Sequence, residues 1–173
     1  MEYRELENFT GHGSRGWVCD TCGQTIAKGI DGYVQWITLE VDGETKGRDL
    51  TIVHHVPASP RKSKNRPYGC QFDEKAELAK DEGIVSDSDL PSFLGPDGLM
   101  RLLIMLTEGE LPPKTILEVI KRLHIPGYER VRLHFRRAIA EGLFEPNTPE
   151  GFYWQSEIQA VLDWAKEEPG EED

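Results

Sequence analysis

The hydrophobic and polar positions of the chain predict strands in its first part and helices in its second part. Residues 32–41 (GYVQWITLEV) are largely β-forming and partly alternating, and the turn signal Asp42-Gly43 follows them. A second strand is predicted over 50–56. In such a hairpin, the end of the second strand returns beside the beginning of the first.

Apolar residues recur at helical spacing in the second part of the chain. Helices are predicted after Gly95-Pro96, after Pro112-Pro113 and from about Glu129 to Glu141, and a final helix begins near Ser156. The second and third of these helices resemble a helix-turn-helix unit. The segment 145–154 (EPNTPEGFYW) then predicts a short wing.

These patterns predict an α+β protein in which a small β-hairpin module precedes an all-helical domain of helix-turn-helix or winged-helix type. We expect the module at 14–80, an acidic linker at 81–92, the helical domain at 93–167 and an acidic tail at 168–173. The boundary between the module and the helical domain is placed in an acidic segment. Residues 73–89 hold seven acids and two lysines, a net charge of −5.

The composition limits the classes of partner. The 173 residues carry a formal charge of −11 and have a pI near 4.9, which argues against general affinity for nucleic acid or for an anionic membrane. The longest uninterrupted apolar run, Leu102–Leu106, is too short to span a bilayer, and the N-terminus lacks the pattern of an export signal. We therefore expect a soluble cytoplasmic protein that does not bind membranes.

Three cysteines and two adjacent histidines form the sharpest chemical pattern in the chain. Cys19 and Cys22 form a CxxC followed by glycine, the turn with which a zinc knuckle directs two thiolates at one point. The remaining thiol, Cys70, and the tandem His54 and His55 supply the other half of a site. The sequence therefore predicts a Cys3His site for structural Zn²⁺.

Several alternatives to this zinc site stay open. Neighbouring strand residues point to opposite faces, so only one of His54 and His55 is expected to bind, and the sequence does not identify which. His12 is a competing ligand in a loop. In one alternative, the cysteines are simply buried apolar residues that bind no metal. In another, two of them form a disulfide and the third is a free thiol, although the odd number of cysteines argues against this.

The order CDTC, IVHHVP, Asn65 and Cys70 over residues 17–73 resembles the treble-clef zinc proteins that include HNH endonucleases. The resemblance implies that His55 is a general base that activates water, His54 a ligand of a catalytic divalent metal and Asn65 the middle polar residue of the motif. Cys70 is followed by QFD, where the family usually has a second CxxC. We therefore predict a non-enzymatic, zinc-binding regulator or adaptor, with a degenerate HNH-type nuclease as the alternative.

Two basic segments are candidate nucleic-acid-binding surfaces in this acidic chain. Residues 57–67 contain four cations and no acid, and residues 112–140 contain seven Lys or Arg against two acids. A solvated loop and a helix face paired with acids are the alternatives, as is a protein partner attracted by the acidic surface. The candidate contacts are Arg61, Lys62, Lys64, Arg66, Arg130, Arg132, Arg136 and Arg137.

Overall fold

The computed structural model describes residues 16–167 and contains two small antiparallel sheets and six α-helices in that range. This confirms the predicted combination of strands and helices. Two compact units divide the described residues, the first ending at His124 and the second beginning at Ile125. Between residues 16 and 167, no helix has both the length and the apolar character needed to cross a lipid bilayer.

The first unit contains all five strands found between residues 16 and 167. A two-stranded sheet pairs β1 (Trp17–Val18) with β2 (Thr25–Ile26). A three-stranded sheet contains β3 (Gly32–Val41), β4 (Glu44–His54) and β5 (Ile84–Asp89) in the order β4-β3-β5. The long central strand β3 therefore has a partner on each side.

The predicted hairpin is formed by β3 and β4. Asp42 and Gly43 have φ values of 54° and 80°, as a two-residue turn between twisted strands requires. Gly32 pairs with His54, so the end of β4 lies beside the start of β3. The second strand begins at Glu44, earlier than the predicted start at 50, because backbone pairing does not need apolar side chains at exposed positions.

The segment predicted as an acidic linker, 81–92, differs in the structure. Six of its residues form β5, in which Ile84 pairs with Thr38 and Asp89 pairs with Tyr33. The composition of this segment suggested a connector because most of its residues are polar. The segment nevertheless pairs with the edge of β3 through its backbone. The border between the two compact units lies after His124.

Three helices complete the first unit. They are α1 (Glu74–Asp81), α2 (Gly95–Glu108) and α3 (Pro113–His124), and the side chain of Asp73 caps α1. Helices α2 and α3 share one hydrophobic core with the strands. Its buried members include Trp17, Cys19, Ile26, Val34, Ile52, Cys70, Leu90, Phe93, Leu102, Ile116, Val119 and Leu123.

The second unit contains α4 (Tyr128–Val131), α5 (Phe135–Ala140) and α6 (Gln155–Glu167). The single helix predicted over 129–141 is wrong, because a turn at 132–134 divides it into two short helices. The division is compatible with burying Val131 and Phe135 in one core with Ile158. Residues 145–154 contain no strand, so the segment predicted as a wing does not form a β-hairpin.

Candidate metal centre

Four of the predicted metal ligands converge in the first unit. Cys19, Cys22, His54 and Cys70 each offer one ligand atom, and these atoms all lie within 4.8 Å of one another. His54 Nδ1 is 3.5 Å from Cys22 Sγ and 4.0 Å from Cys70 Sγ. Around tetrahedral zinc, the usual bond lengths place a sulfur and a nitrogen ligand about 3.5 Å apart. The arrangement therefore fits a single four-coordinate cation.

The turn between β1 and β2 positions the first two cysteines. The amide of Gly23 donates to the carbonyl of Cys19 at 2.8 Å, and the amide of Cys19 donates to the carbonyl of Gln24 at 2.9 Å. Gly23 adopts a φ of 74°, a conformation in which a residue with a side chain would be strained. This is the local reason why CxxC is followed by glycine, as the sequence pattern indicated.

His54 ends β4 and is oriented by a backbone group of β2. Its Nε2 lies 3.3 Å from the carbonyl oxygen of Thr25 in β2. A carbonyl only accepts, so this contact assigns the proton to Nε2 and leaves the lone pair of Nδ1 directed toward the sulfurs. A histidine that binds a metal commonly has this kind of support from its second nitrogen.

His55 lies outside the ligand cluster. Its ring stacks on Tyr33, with centroids 4.5 Å apart and an interplanar angle of 13°. The backbone amide of His55 donates to the carbonyl of Asp31 at 2.7 Å. The sequence left open which of the two histidines belongs to the site. In the structure, His54 faces the cysteines and its neighbour in the chain does not.

Cys70 reaches the cluster from the loop that follows β4. Ser59 Oγ donates a hydrogen bond to Cys70 Sγ at 3.1 Å, and Thr21 Oγ1 donates to the Cys70 carbonyl at 2.8 Å. Thr21 lies between the two cysteines of the CxxC, so this bond joins the two halves of the site. The hydroxyl of Ser59 is a donor suited to a thiolate.

The site is mostly shielded from water. Cys19, Cys70 and His54 are only 1%, 2% and 5% exposed, while Cys22 is half-buried. Burial raises the pKa of the Cys19 thiol to about 12, since a thiolate is poorly solvated there. A bound cation reverses that preference, because the thiolate is the form that coordinates. All three cysteines are free thiols, and no disulfide joins them.

An ion pair beside the site, made by a buried arginine, was not predicted from the sequence. Arg122 of α3 donates to both carboxylate oxygens of Asp20, at 2.9 and 2.7 Å, and to the carbonyl of Val18 at 2.8 Å. Asp20 lies within the CxxC. Arg122 follows Val119 by three residues on the inward stripe of α3, and a cation at such a position indicates an acidic partner without identifying it.

The two predicted nucleic-acid-binding surfaces differ in their contacts. The loop side chains Arg61, Lys62, Lys64 and Arg66 are exposed, as is Asn65, the polar residue of the HNH-like motif. In the second unit, Arg132 pairs with Glu129 at 2.9 Å and Arg137 pairs with Glu141 at 2.8 Å. Arg136 is exposed, and Arg130 is half-buried.

Comparisons with known proteins return no relative of this chain: no protein-family model matches it, and neither does any curated protein or any solved structure. The resemblance to treble-clef and HNH-type proteins therefore stays a prediction. Function has to be inferred from the geometry of the site.

Proposed function

We propose that Cys19, Cys22, His54 and Cys70 bind one structural Zn²⁺, and that the protein is a non-enzymatic regulator or adaptor. The observation that carries the zinc proposal is the orientation of His54. Its Nδ1 faces two of the sulfurs while Thr25 holds its Nε2. That nitrogen supplies a fourth ligand position opposite three thiols, as a closed tetrahedral site requires.

The donor atoms favour zinc over other cations. Three thiols and one imidazole are soft or borderline ligands, whereas Mg²⁺ and Ca²⁺ select oxygen ligands. A closed Cys3His set is typical of structural zinc sites. The cation would connect the β1–β2 turn, the end of β4 and the segment around Cys70, so its binding energy would stabilise the first unit.

The same geometry supports a structural role over nuclease chemistry. A catalytic zinc site keeps a coordination position open for water, whereas here four protein ligand atoms lie together, the number that a closed tetrahedral site uses. In the HNH-type alternative, His54 would bind a separate catalytic metal and His55 would act as the base. The cluster engages His54 with the cysteines, and His55 stacks on Tyr33.

The regulator or adaptor role is supported by what surrounds the site. A structural metal fixes the base of an exposed loop that carries four cations, and the rest of the chain is strongly acidic. Such a local contrast in charge suits recognition of a charged macromolecule, either a nucleic acid or a protein.

The adjacent histidines provide a matched pair for testing the zinc site. We expect wild-type protein and His55→Ala to retain about one zinc per chain after dialysis against a weak chelator, and His54→Ala to lose most of it. Metal content would be measured by plasma mass spectrometry. Equal zinc in the two variants, or none in the wild type, would contradict the proposal.

A nicking assay on supercoiled plasmid tests the nuclease alternative separately. With Mg²⁺ or Mn²⁺ added, we expect no cleavage above background from the wild type or from His55→Ala. Cleavage by the wild type that His55→Ala abolishes would favour the HNH-type reading and contradict the non-enzymatic proposal.

A further inference from the structure

An exposed loop of four cations lies beside the proposed metal site. We call residues 59–66 the cationic loop. No acidic residue occurs between Asp49 and Asp73 in the sequence. Within residues 16–167, none of the four cations forms an ion pair with a carboxylate. Among the described residues of this acidic chain, no carboxylate therefore competes with an external anion for these cations.

Hydrogen bonds order the tip of the cationic loop. The amide of Ser63 donates to the carbonyl of Arg66, and the amide of Arg66 donates to the carbonyl of Ser63, both at 3.1 Å. Lys64 and Asn65 therefore form a two-residue tip. An ordered loop loses little conformational entropy when a ligand binds, so its charges are presented at low cost.

The base of the cationic loop is joined to the metal site. Arg61 donates through its guanidinium to the carbonyl of Thr21 at 2.7 Å, and its amide donates to Ser59 Oγ at 3.3 Å. Ser59 in turn donates to Cys70 Sγ at 3.1 Å. The position of the loop thus depends on residues that belong to, or touch, the proposed zinc site.

The other predicted surface is less available to phosphates. In the second unit, the cations of Arg132 and Arg137 already contact the carboxylates of Glu129 and Glu141. Glu129 is 2% exposed, so releasing its partner would leave a buried charge. Over residues 16–167, a phosphate at the cationic loop displaces no such carboxylate partner.

The composition of the cationic loop indicates how it would contact a nucleic acid. Residues 59–66 contain no aromatic side chain on which an unpaired base could stack. Lysine and arginine side chains can instead contact phosphates at any sequence. An electrostatic contact of this kind suits the backbone of a duplex and is expected to weaken steeply with salt.

We propose that the cationic loop is a docking surface for the sugar-phosphate backbone of duplex nucleic acid. This inference rests on the proposed structural zinc, because the metal holds the base of the loop. Lys62, Lys64 and Arg66 make the phosphate contacts, and Arg61 holds the loop against the CxxC turn.

The test compares two triple variants with the same change in net charge. The loop variant is Lys62→Gln, Lys64→Gln and Arg66→Gln, which leaves Arg61 in place. The control variant changes three exposed cations that lie outside both predicted surfaces: Lys28→Gln, Lys75→Gln and Lys80→Gln. Fluorescence anisotropy would follow binding to a fluorescein-labelled DNA duplex of about 24 base pairs at several salt concentrations.

We expect the loop variant to bind the duplex at least about tenfold more weakly at low salt, and the control variant to stay within about twofold of the wild type. The plot of log K against log salt should become less steep in the loop variant. Its slope should decrease in magnitude by about 2 to 3, since each phosphate contact contributes about 0.9. Zinc content, measured in every sample, should not change.

Four results would overturn the inference: no duplex binding by the wild type, equal weakening in both variants, tighter binding to the matching single strand, or binding to polyglutamate in place of DNA. Each of these, with about one zinc per chain still present, leaves the structural-zinc proposal standing. Wild-type protein without zinc would instead contradict that proposal itself.

Discussion

The guanidinium of Arg122 is hydrogen-bonded to the carboxylate of Asp20, which lies between two of the proposed zinc ligands. The same carboxylate accepts from the amide of Ile52 at 2.7 Å, and the amide of Asp20 donates to the carbonyl of Ile52 at 2.8 Å. Asp20 therefore joins the metal turn, the central hairpin and α3. This contact adds to the apolar packing by which α3 shares a core with the strands.

Replacing Arg122 should destabilise the first unit. The side chains of Arg122 and Asp20 are 4% and 22% exposed, so Arg122→Met leaves a largely buried carboxylate without its cation. We expect a loss of about 3 kcal/mol in the free energy of unfolding, measured by urea denaturation of zinc-loaded protein.

Lys121→Met is the neighbouring control for Arg122→Met. Lys121 pairs with Glu118 near the surface, with 28% and 38% of the two side chains exposed. Its loss should change the unfolding free energy by about 0.5 kcal/mol or less. Similar losses in the two variants would show that the Asp20 contact is not important for stability.

The hydroxyl of Ser59 should tune the affinity for zinc. It donates to Cys70 Sγ at 3.1 Å, so Ser59→Ala removes a hydrogen bond that stabilises the ligating thiolate. We expect zinc affinity to fall by about tenfold in competition with a chromophoric chelator. Ser63→Ala, in the exposed part of the same loop, should bind zinc like the wild type, and equal affinities in all three proteins would refute the role of Ser59.

Replacing Gly98 in α2 by alanine should destabilise the protein, although alanine has the higher helix propensity. A Cβ at this position would collide with the backbone carbonyl group of Phe93. Gly98→Ala should therefore lower the unfolding free energy by about 2 kcal/mol, although the same change in an open helix raises it by about 0.5 to 1 kcal/mol. Differential scanning calorimetry would report the sign, and a higher melting temperature would contradict the collision.

Gly109 serves as a comparison for Gly98. It follows α2 with a φ of 73°, and a Cβ there would meet no atom within 4 Å. Gly109→Ala should cost about 1 kcal/mol through backbone strain alone. A larger loss at Gly109 than at Gly98 would mean that conformation matters more than packing at this helix.

In the second unit, Tyr153 should be more important than its neighbour Phe152. The ring of Tyr153 stacks on Phe135 with centroids 3.6 Å apart and planes 5° apart, whereas Phe152 is 47% exposed. Tyr153→Ala should cost about 2 kcal/mol, equivalent to about a thirtyfold loss of amide-exchange protection in α5 and α6. Phe152→Ala should change that protection by less than about threefold, and equal effects would contradict the assignment of the core.

Much of the metal centre was predictable from the sequence, because its ligands either lie close together in the chain or are brought together by a hairpin. The CxxC and its glycine define the turn, and the Asp42-Gly43 signal correctly predicted the hairpin that returns His54 to that turn. Cys70 was predictable by elimination, as the only thiol left. These inferences depend on neighbouring residues and on strand geometry, both of which can be read along the chain.

The tertiary structure decided what depends on distant partners. It selected His54 over His55, paired the polar residues of β5 with β3, joined Asp20 to Arg122 and interrupted the helix predicted over 129–141. In each case, the local sequence is compatible with more than one arrangement. Packing and hydrogen bonding between residues far apart in sequence select among them, and a pattern along the chain does not contain that information.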